Sequence, residues 1–102
     1  MPAGYRLTSE AASDLKGILD YTLDRWGAEQ ADKYVLQIER CLHDLVSGRC
    51  SGKQFGDSSR VIQVFRCEHH YIFYAAQDNQ LAVLAILHEA MDLLARLRER
   101  ME

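Results

Sequence analysis

Seven side chains in the second half of the chain are of the types that carry protons and bind phosphates. They are Arg60, Arg66, His69, His70, Tyr71, Tyr74 and His88. On an exposed sheet face such a set could cleave RNA: a base takes the 2′-hydroxyl proton, an acid protonates the leaving oxygen and an arginine stabilises the phosphorane. A structural interpretation is also open and is favoured, because tyrosines in strands commonly form half-buried cross-strand pairs.

Motifs for other kinds of catalysis are missing from the sequence. It contains no G-x-S-x-G, no H-E-x-x-H, no P-loop and no dinucleotide-binding fingerprint. Gly48, Gly52 and Gly56 lie in a loop that precedes a strand rather than a helix, so they do not indicate a phosphate-binding loop. The sequence therefore predicts no cofactor.

The three cysteines, Cys41, Cys50 and Cys67, are predicted to be buried reduced thiols. Their number is odd and no C-x-x-C occurs, which argues against a disulfide framework. Cys67 is close in sequence to His69 and His70, but this spacing matches no zinc template. Adjacent residues of a strand also point to opposite faces, so the two histidines would not bind one ion together. The sequence predicts no metal site.

Length, composition and charge indicate one globular domain over residues 1–102. The chain is 48% hydrophobic and carries a net charge of −3, which disfavours a protein whose main task is to grip a phosphate backbone. We expect no sequence-specific nucleic-acid binding by the chain alone, although residues 40–70 hold five basic and three acidic side chains, a net +2. No apolar run approaches the ~20 residues of a membrane span, and the first residues lack a signal-peptide pattern. These features predict a cytoplasmic protein without membrane contact.

Hydrophobic periodicity predicts two helices that form an antiparallel hairpin. The first follows Thr8, whose hydroxyl can cap it, and ends at Gly27. Its apolar positions are Ala11, Leu15, Ile18, Leu19, Thr22 and Trp26. The second repeats the pattern over residues 31–46. Trp26 and Tyr34 lie on these two stripes, and both are predicted to be core residues.

The remaining patterns complete an α+β fold. A short strand precedes the first helix, residues 47–59 form a long loop, and Asp92 begins a C-terminal helix. Three further strands are predicted over residues 60–66, 69–75 and 81–88, with turns at 67–68 and 77–80. These turns are too short for a crossover helix, so the three strands form an antiparallel meander. The expected architecture is an N-terminal strand and a helical hairpin packed on an antiparallel sheet, with a terminal helix.

Five short strings, in this order, resemble the ParE branch of the RelE/ParE toxin superfamily. They are Tyr5-x-Leu7-Thr8, Ala11-x-x-Asp14-Leu15, Trp26-Gly27-x-x-Gln30-Ala31-x-x-Tyr34, His70-Tyr71-Ile72-Phe73-Tyr74 and Ile86-Leu87-His88-x-x-Met91-Asp92. Together they span nearly the whole chain. The resemblance implies the RelE/ParE-like fold and the toxin of a type II toxin–antitoxin module, held silent by a ParD-like antitoxin.

The resemblance also implies a target. ParE-like toxins usually poison DNA gyrase and so block replication, which is a non-catalytic action by binding. The ribonuclease branch of the superfamily instead cuts mRNA on the ribosome, and this is the alternative. The chain departs from that branch because it lacks a dense cluster of lysine and arginine, and because Glu-Ala-Met-Asp follows His88 with no nearby tyrosine. A third possibility is a degenerate relative that only binds its antitoxin.

Two sets of candidate binding residues follow. Positive charge at the end of the sheet would steer a partner, and the target-binding candidates are Arg60, Arg66, His69, His70 and His88. Apolar helix stripes accept an amphipathic helix, and open strand edges accept an added strand. The antitoxin-binding candidates are Leu15, Leu19, Trp26, Leu93, Leu94 and Leu97.

Overall fold

Two helices and five strands make up the part of the chain that the structure describes. The computed structural model describes residues 3–55 and 61–89. The elements are β1 (Tyr5–Leu7), α1 (Ser9–Trp26), α2 (Ala28–Ser47), β2 (Lys53–Phe55), β3 (Ile62–Cys67), β4 (His70–Gln77) and β5 (Gln80–His88). Arg60 and the C-terminal helix predicted from Asp92 lie outside these residues. The predicted α+β class and the helical hairpin on a sheet are confirmed.

The helical hairpin is defined by its caps. Thr8 Oγ1 accepts a hydrogen bond from the Ala11 N–H at 3.2 Å, as the sequence predicts for an N-cap. Gly27 alone separates the two helices: its N–H bonds back to Leu23 and its carbonyl accepts from Ala31. The backbone there has a φ of 91°, which side chains with a Cβ rarely adopt. The reversal between α1 and α2 therefore depends on glycine.

The five strands form one sheet in the order β1-β5-β4-β3-β2. Strands β3, β4 and β5 are the predicted antiparallel meander. Two features differ from the expectation. Strand β1 pairs in parallel with β5, which is possible because the helical hairpin supplies the crossover. Strand β2 lies inside the predicted loop, and its three residues are too few to show a period in sequence.

The turn between β3 and β4 was predicted one residue too early. Cys67 still pairs with His70 across the ladder, so the turn comprises Glu68 and His69, with Glu68 at a φ of 55°. The second turn is at Asp78 and Asn79, within the predicted range, and both residues have positive φ. Two-residue hairpins favour such conformations because they match the twist of the strands.

The helices pack on one face of the sheet and bury most of the core there. Ile38 and Leu42 of α2 and Ile18 of α1 contact a cluster that includes Ile72 and Val83. The opposite face carries a second apolar cluster around Phe73, Ala85, Leu87 and Ile62. Phe73 and Tyr74 are thus on opposite faces of β4, as the alternation predicts.

Two predictions about individual side chains are wrong. Trp26 was expected in the core, but it is 70% exposed, because α1 ends beyond the sheet and nothing described lies over the ring. Cys41 and Cys67 were expected as reduced thiols, but they form a disulfide between α2 and β3. Cysteine counting could not show this, because the pair forms only when α2 docks on the sheet. Within the described residues, no helix has the length and apolarity needed to cross a bilayer.

Candidate functional site

A groove runs between α1, the start of α2 and the ends of β4 and β5. It has a volume of about 1030 Å³. The residues that line it are Ser13, Asp14, Gly17, Ile18, Tyr21, Thr22, Trp26, Gln30, Tyr34, His69, His70, Ile86, Leu87 and His88. Its lining comprises aliphatic side chains, an aromatic end at the last turns of α1 and a histidine-rich end at β4 and β5. This volume exceeds that of an ordinary side-chain pocket and suits a row of several side chains.

Small residues of α1 keep the groove open. Gly17 lines it, and a Cβ placed there would meet no atom within 4 Å. The helix is nonetheless tied to the sheet by Asp14, whose Oδ2 accepts the Ile86 N–H at 2.9 Å. Strand β1 pairs only as far as Val83, so β5 has no strand partner on that side at Ile86, and the carboxylate takes that place. The wall of the groove is therefore fixed without filling it.

The aromatic end of the groove is formed by the last two turns of α1. Tyr21 is 59% exposed and Trp26 is 70% exposed. The Arg25 guanidinium lies over the Tyr21 ring, 5.2 Å from its centre. Large exposed aromatic rings beside an apolar groove are typical of a surface that binds another protein.

The other end of the groove holds what we call the histidine cluster: Tyr34, His69, His70, His88 and Glu89. The Tyr34 hydroxyl is hydrogen-bonded to His70 Nδ1 and accepts the His69 N–H at 3.3 Å. The His70 and His88 rings meet edge to face with centres 5.1 Å apart. His69 Nδ1 lies 3.1 Å from Glu89 Oε1. One tyrosine on α2 thus connects the helix to the β3–β4 turn.

Burial sets the charge of His70. It lowers the pKa of His70 to about 4, and the neighbouring His88 and His69 act in the same direction. The ring is therefore neutral at pH 7, and its Nδ1 shares a hydrogen bond with the Tyr34 hydroxyl. Burial also raises the pKa of Tyr34, which keeps that hydroxyl protonated. The pair is a fixed neutral hydrogen bond rather than an acid poised to transfer a proton.

The Glu89 carboxylate is the common hydrogen-bond partner of two basic side chains at this end of the groove. It is hydrogen-bonded to His69 and to the Arg66 guanidinium. The hydrogen bond from His69 is the main reason why the pKa of Glu89 is lowered, and Arg66 contributes. The Arg66 side chain also donates to the Glu68 carbonyl at 3.1 Å and lies 5.7 Å from the centre of the Tyr71 ring. Arg66 is thus engaged by several partners.

The structure brings four of the five target-binding candidates together. Arg66, His69, His70 and His88 all lie at or beside the histidine cluster, and Arg60 is outside the described residues. The two tyrosines of the possible nuclease set do not line the groove, although the Tyr71 ring lies beside the Arg66 guanidinium. Tyr71 packs against the second cluster on the far face of the sheet, while Tyr74 is buried and accepts the Gly52 N–H at 2.8 Å.

The antitoxin-binding candidates have different surroundings. Leu15 is half-buried against the main core. Leu19 lies in a shallow hollow between α1 and α2, beside Val35 and Leu36. Trp26 lines the groove. Leu93, Leu94 and Leu97 are outside the described residues.

Sequence reasoning missed two members of the histidine cluster. Tyr34 was predicted to be core from its place on an apolar stripe, and the ring is indeed half-buried, but its hydroxyl bonds across to β4. A buried tyrosine usually needs a partner for its hydroxyl, and this was the available signal. Glu89 was not singled out, because its neighbours Arg66 and His69 are brought to it only by the pairing of β3, β4 and β5. The described residues contain no group of three or more side chains arranged to hold a metal.

Comparison with known proteins shows which family the chain resembles. The family profile of the ParE toxin of the type II toxin–antitoxin system parDE matches residues 5–93. Toxin ParE of Escherichia coli is 40% identical over 99 residues, which cover 96% of each chain. Toxin ParE1 of Caulobacter vibrioides is 28% identical over 95 residues, covering 91% of this chain and 96% of its own.

A solved structure shows the same fold. The chromosomal ParDE toxin–antitoxin system from P. aeruginosa contains a chain that matches with a TM-score of 0.71, at 21% sequence identity. The match covers 83% of this chain and 94% of that one. With the profile spanning nearly the whole chain and a relative 40% identical along its length, this chain belongs to the ParE toxin family of type II toxin–antitoxin systems.

Proposed function

We propose that this toxin acts by binding DNA gyrase, without catalysis, and that a ParD-like antitoxin neutralises it by occupying the groove. The observation that carries the proposal is the groove itself, which combines exposed aromatic rings with a charged cluster. A protein partner can use both ends at once: the rings for apolar contact and the charged end for orientation. The action takes place in the cytoplasm, where gyrase works.

The engaged state of the histidine cluster supports binding over RNA cleavage. Cleavage requires an arginine that faces the phosphate and an acid and a base aimed at the same bond. Here Arg66 is bound to the Glu89 carboxylate, and His70 is held neutral by burial and by the neighbouring His88. The Glu89 charge would also repel a phosphodiester that approached Arg66 and His69. A partner that presents carboxylates and amides is better matched to the exposed His69 than an RNA backbone.

The shape of the groove supports an antitoxin helix as its occupant. An amphipathic helix laid along it would place apolar side chains on Ile18 and Ile86 and against Trp26. The solved ParDE system is an assembly of a toxin with its antitoxin, and its toxin fold is the one found here. We propose a ParD-like antitoxin as the corresponding partner of this chain.

A gyrase assay tests the target. The purified chain is titrated into supercoiling and DNA-cleavage reactions with gyrase, with and without the antitoxin encoded beside it. We expect supercoiling to stop and double-strand breaks to accumulate, and the antitoxin to reverse both effects. Unchanged supercoiling and no trapped breaks at saturating toxin would contradict the proposal.

A parallel experiment addresses the ribonuclease alternative. Translated mRNA is incubated with ribosomes and the same toxin preparation, and its ends are mapped by primer extension. We expect no new ends. Cleavage that disappears in His88→Ala would instead favour the RelE-type activity.

A further inference from the structure

A pair of cysteines joins α2 to the sheet beside the histidine cluster. Cys41 lies in the middle of α2 and Cys67 is the last residue of β3, with their Cα atoms 6.4 Å apart. This separation is within the range in which a disulfide forms without moving the backbone. The two residues differ in exposure, since Cys67 is only 1% exposed whereas Cys41 is half-buried on α2.

The site also satisfies the reduced form. Cys67 Sγ lies 3.6 Å from the carbonyl oxygen of Gln37, a distance at which a thiol S–H donates a weak hydrogen bond. A buried thiol formed by reduction would therefore have an acceptor in place, and it is small enough to remain among the apolar core residues. Neither redox state leaves a buried group without a partner.

The disulfide and the hydrogen bonds of Tyr34 both link α2 to the region of the β3–β4 turn. Cys67 pairs across the ladder with His70, and His70 Nδ1 holds the hydroxyl of Tyr34. Tyr34 and Cys41 are seven residues apart on α2, which places them two turns apart on one face. When the disulfide is open, the hydrogen bonds of Tyr34 to His70 and to the His69 N–H remain at this corner, together with the weak bond of the Cys67 thiol to the Gln37 carbonyl.

We propose that Cys41 and Cys67 are a redox modification site whose disulfide clamps α2 onto the β3–β4 turn and so fixes the histidine end of the groove. The oxidant is a low-molecular-weight disulfide of the glutathione class. The Cys41 thiolate attacks one sulfur of the reagent and releases one thiolate. The Cys67 thiolate then attacks Cys41 Sγ and releases the second. Two protein thiols and one reagent disulfide thus become one protein disulfide and two reagent thiols.

Reduction follows the reverse course. A small thiolate attacks Cys41, the more exposed of the two residues, and Cys67 leaves as the buried thiolate, which takes up a proton. A second small thiolate then attacks the reagent sulfur of the mixed disulfide and releases the Cys41 thiolate, which takes up a proton as the reagent disulfide forms. Because Cys41 is partly exposed and Cys67 has a hydrogen-bond acceptor beside it, the exchange is reversible without unfolding of the chain.

The first experiment tests formation of the disulfide in the full chain. Protein is equilibrated in a series of glutathione buffers from reducing to oxidising, quenched by alkylation and analysed by peptide mass spectrometry. We expect the alkylated fractions of Cys41 and Cys67 to fall together as the buffer becomes more oxidising. Cys50 should remain alkylated or carry a mixed disulfide. Cys41 and Cys67 that stay alkylated in every buffer would overturn the proposal.

The second experiment tests the clamp. Amide hydrogen exchange along α2 is compared between the oxidised and reduced chain, each with Tyr34 and with Tyr34→Phe, in a Cys50→Ser background that removes the third thiol. Reduction should speed exchange near Cys41 by roughly tenfold or more, and by a larger factor in Tyr34→Phe, because a cross-link stabilises the closed arrangement. Equal exchange in both redox states would show that the disulfide does not hold α2.

Discussion

Single side chains decide what the two ends of the groove can do. At the histidine end, burial and the neighbouring His88 hold His70 neutral, and Glu89 binds both Arg66 and His69. At the aromatic end, Trp26 projects into solvent beyond the sheet. The first end is a network of mutually satisfied groups, while the second presents apolar area with no described cover. Binding affinity is therefore expected to come mainly from the aromatic end.

The pH dependence of stability should show the effect of His70. Its folded pKa of about 4 lies below the ordinary value of 6.5, so between these values the unfolded chain binds a proton that the folded chain does not. The contribution of neutral His70 to the free energy of unfolding is thus fully present above pH 6.5. It falls as the pH decreases towards 4, by at most about 1.4 kcal/mol per pH unit. Urea unfolding at several pH values measures it.

Carboxylates also titrate in the lower part of this range, so a variant is needed to isolate His70. His70→Gln keeps an acceptor for the Tyr34 hydroxyl but carries no titrating ring. The difference in unfolding free energy between the chain and this variant should shrink as the pH falls from 6.5. His43→Gln, at an exposed histidine, should leave the pH profile unchanged. If the pH profile of His70→Gln ran parallel to that of the unsubstituted chain, the pH dependence could not be assigned to His70.

Trp26→Ala should weaken antitoxin binding while leaving the fold intact. The ring is 70% exposed, so its removal changes the unfolding free energy little, whereas a central aromatic contact in an interface is worth roughly tenfold or more in affinity. Isothermal titration calorimetry with the antitoxin measures the effect. Val61→Ala is the matched control, because it is also exposed and apolar but does not line the groove. Equal losses in the two variants would remove the groove from the proposed interface.

At the scale of elements, the helical hairpin depends on two glycines with opposite requirements. Gly27 makes the reversal with a φ of 91°, which an added Cβ disfavours. Gly17 lies inside α1, where glycine costs stability relative to alanine and where a Cβ has open space around it.

Alanine substitutions at these positions should therefore have opposite effects. Gly27→Ala is expected to lower the unfolding free energy by about 1 kcal/mol or more, and Gly17→Ala to raise it by about 0.5–1 kcal/mol. Thermal unfolding followed by circular dichroism compares them directly. A loss of stability in Gly17→Ala would mean that α1 is not packed as described.

Sequence patterns were sufficient for the long elements and insufficient for their contacts. The helices followed from apolar positions at the helical period, together with Thr8 and Gly27, because these signals are local. Strand β2 was missed because three residues depend on β3 for their pairing. The contacts of Tyr34 with His70 and of Cys41 with Cys67 were also missed. Each joins residues at least 26 positions apart, and only the docking of α2 on the sheet brings them together.

For the molecule as a whole, the disulfide is expected to contribute substantially to stability. It links residues 26 positions apart, and a cross-link over a loop of this length typically stabilises a small domain by about 3 kcal/mol. The melting temperature should therefore fall when a reductant is added. Cys50→Ser should show the same fall, whereas Cys41→Ser should melt at the reduced value with or without reductant. A melting temperature insensitive to reductant would contradict the expectation.

The edge strands of the sheet affect how toxin molecules behave when they are in excess of the antitoxin. Both outer strands, Tyr5–Leu7 and Lys53–Phe55, are only three residues long. Each leaves few backbone groups for a neighbouring molecule to match, which is a common defence against side-by-side stacking into ribbons. Surplus toxin should accordingly persist as separate particles rather than accumulate as fibrous deposits.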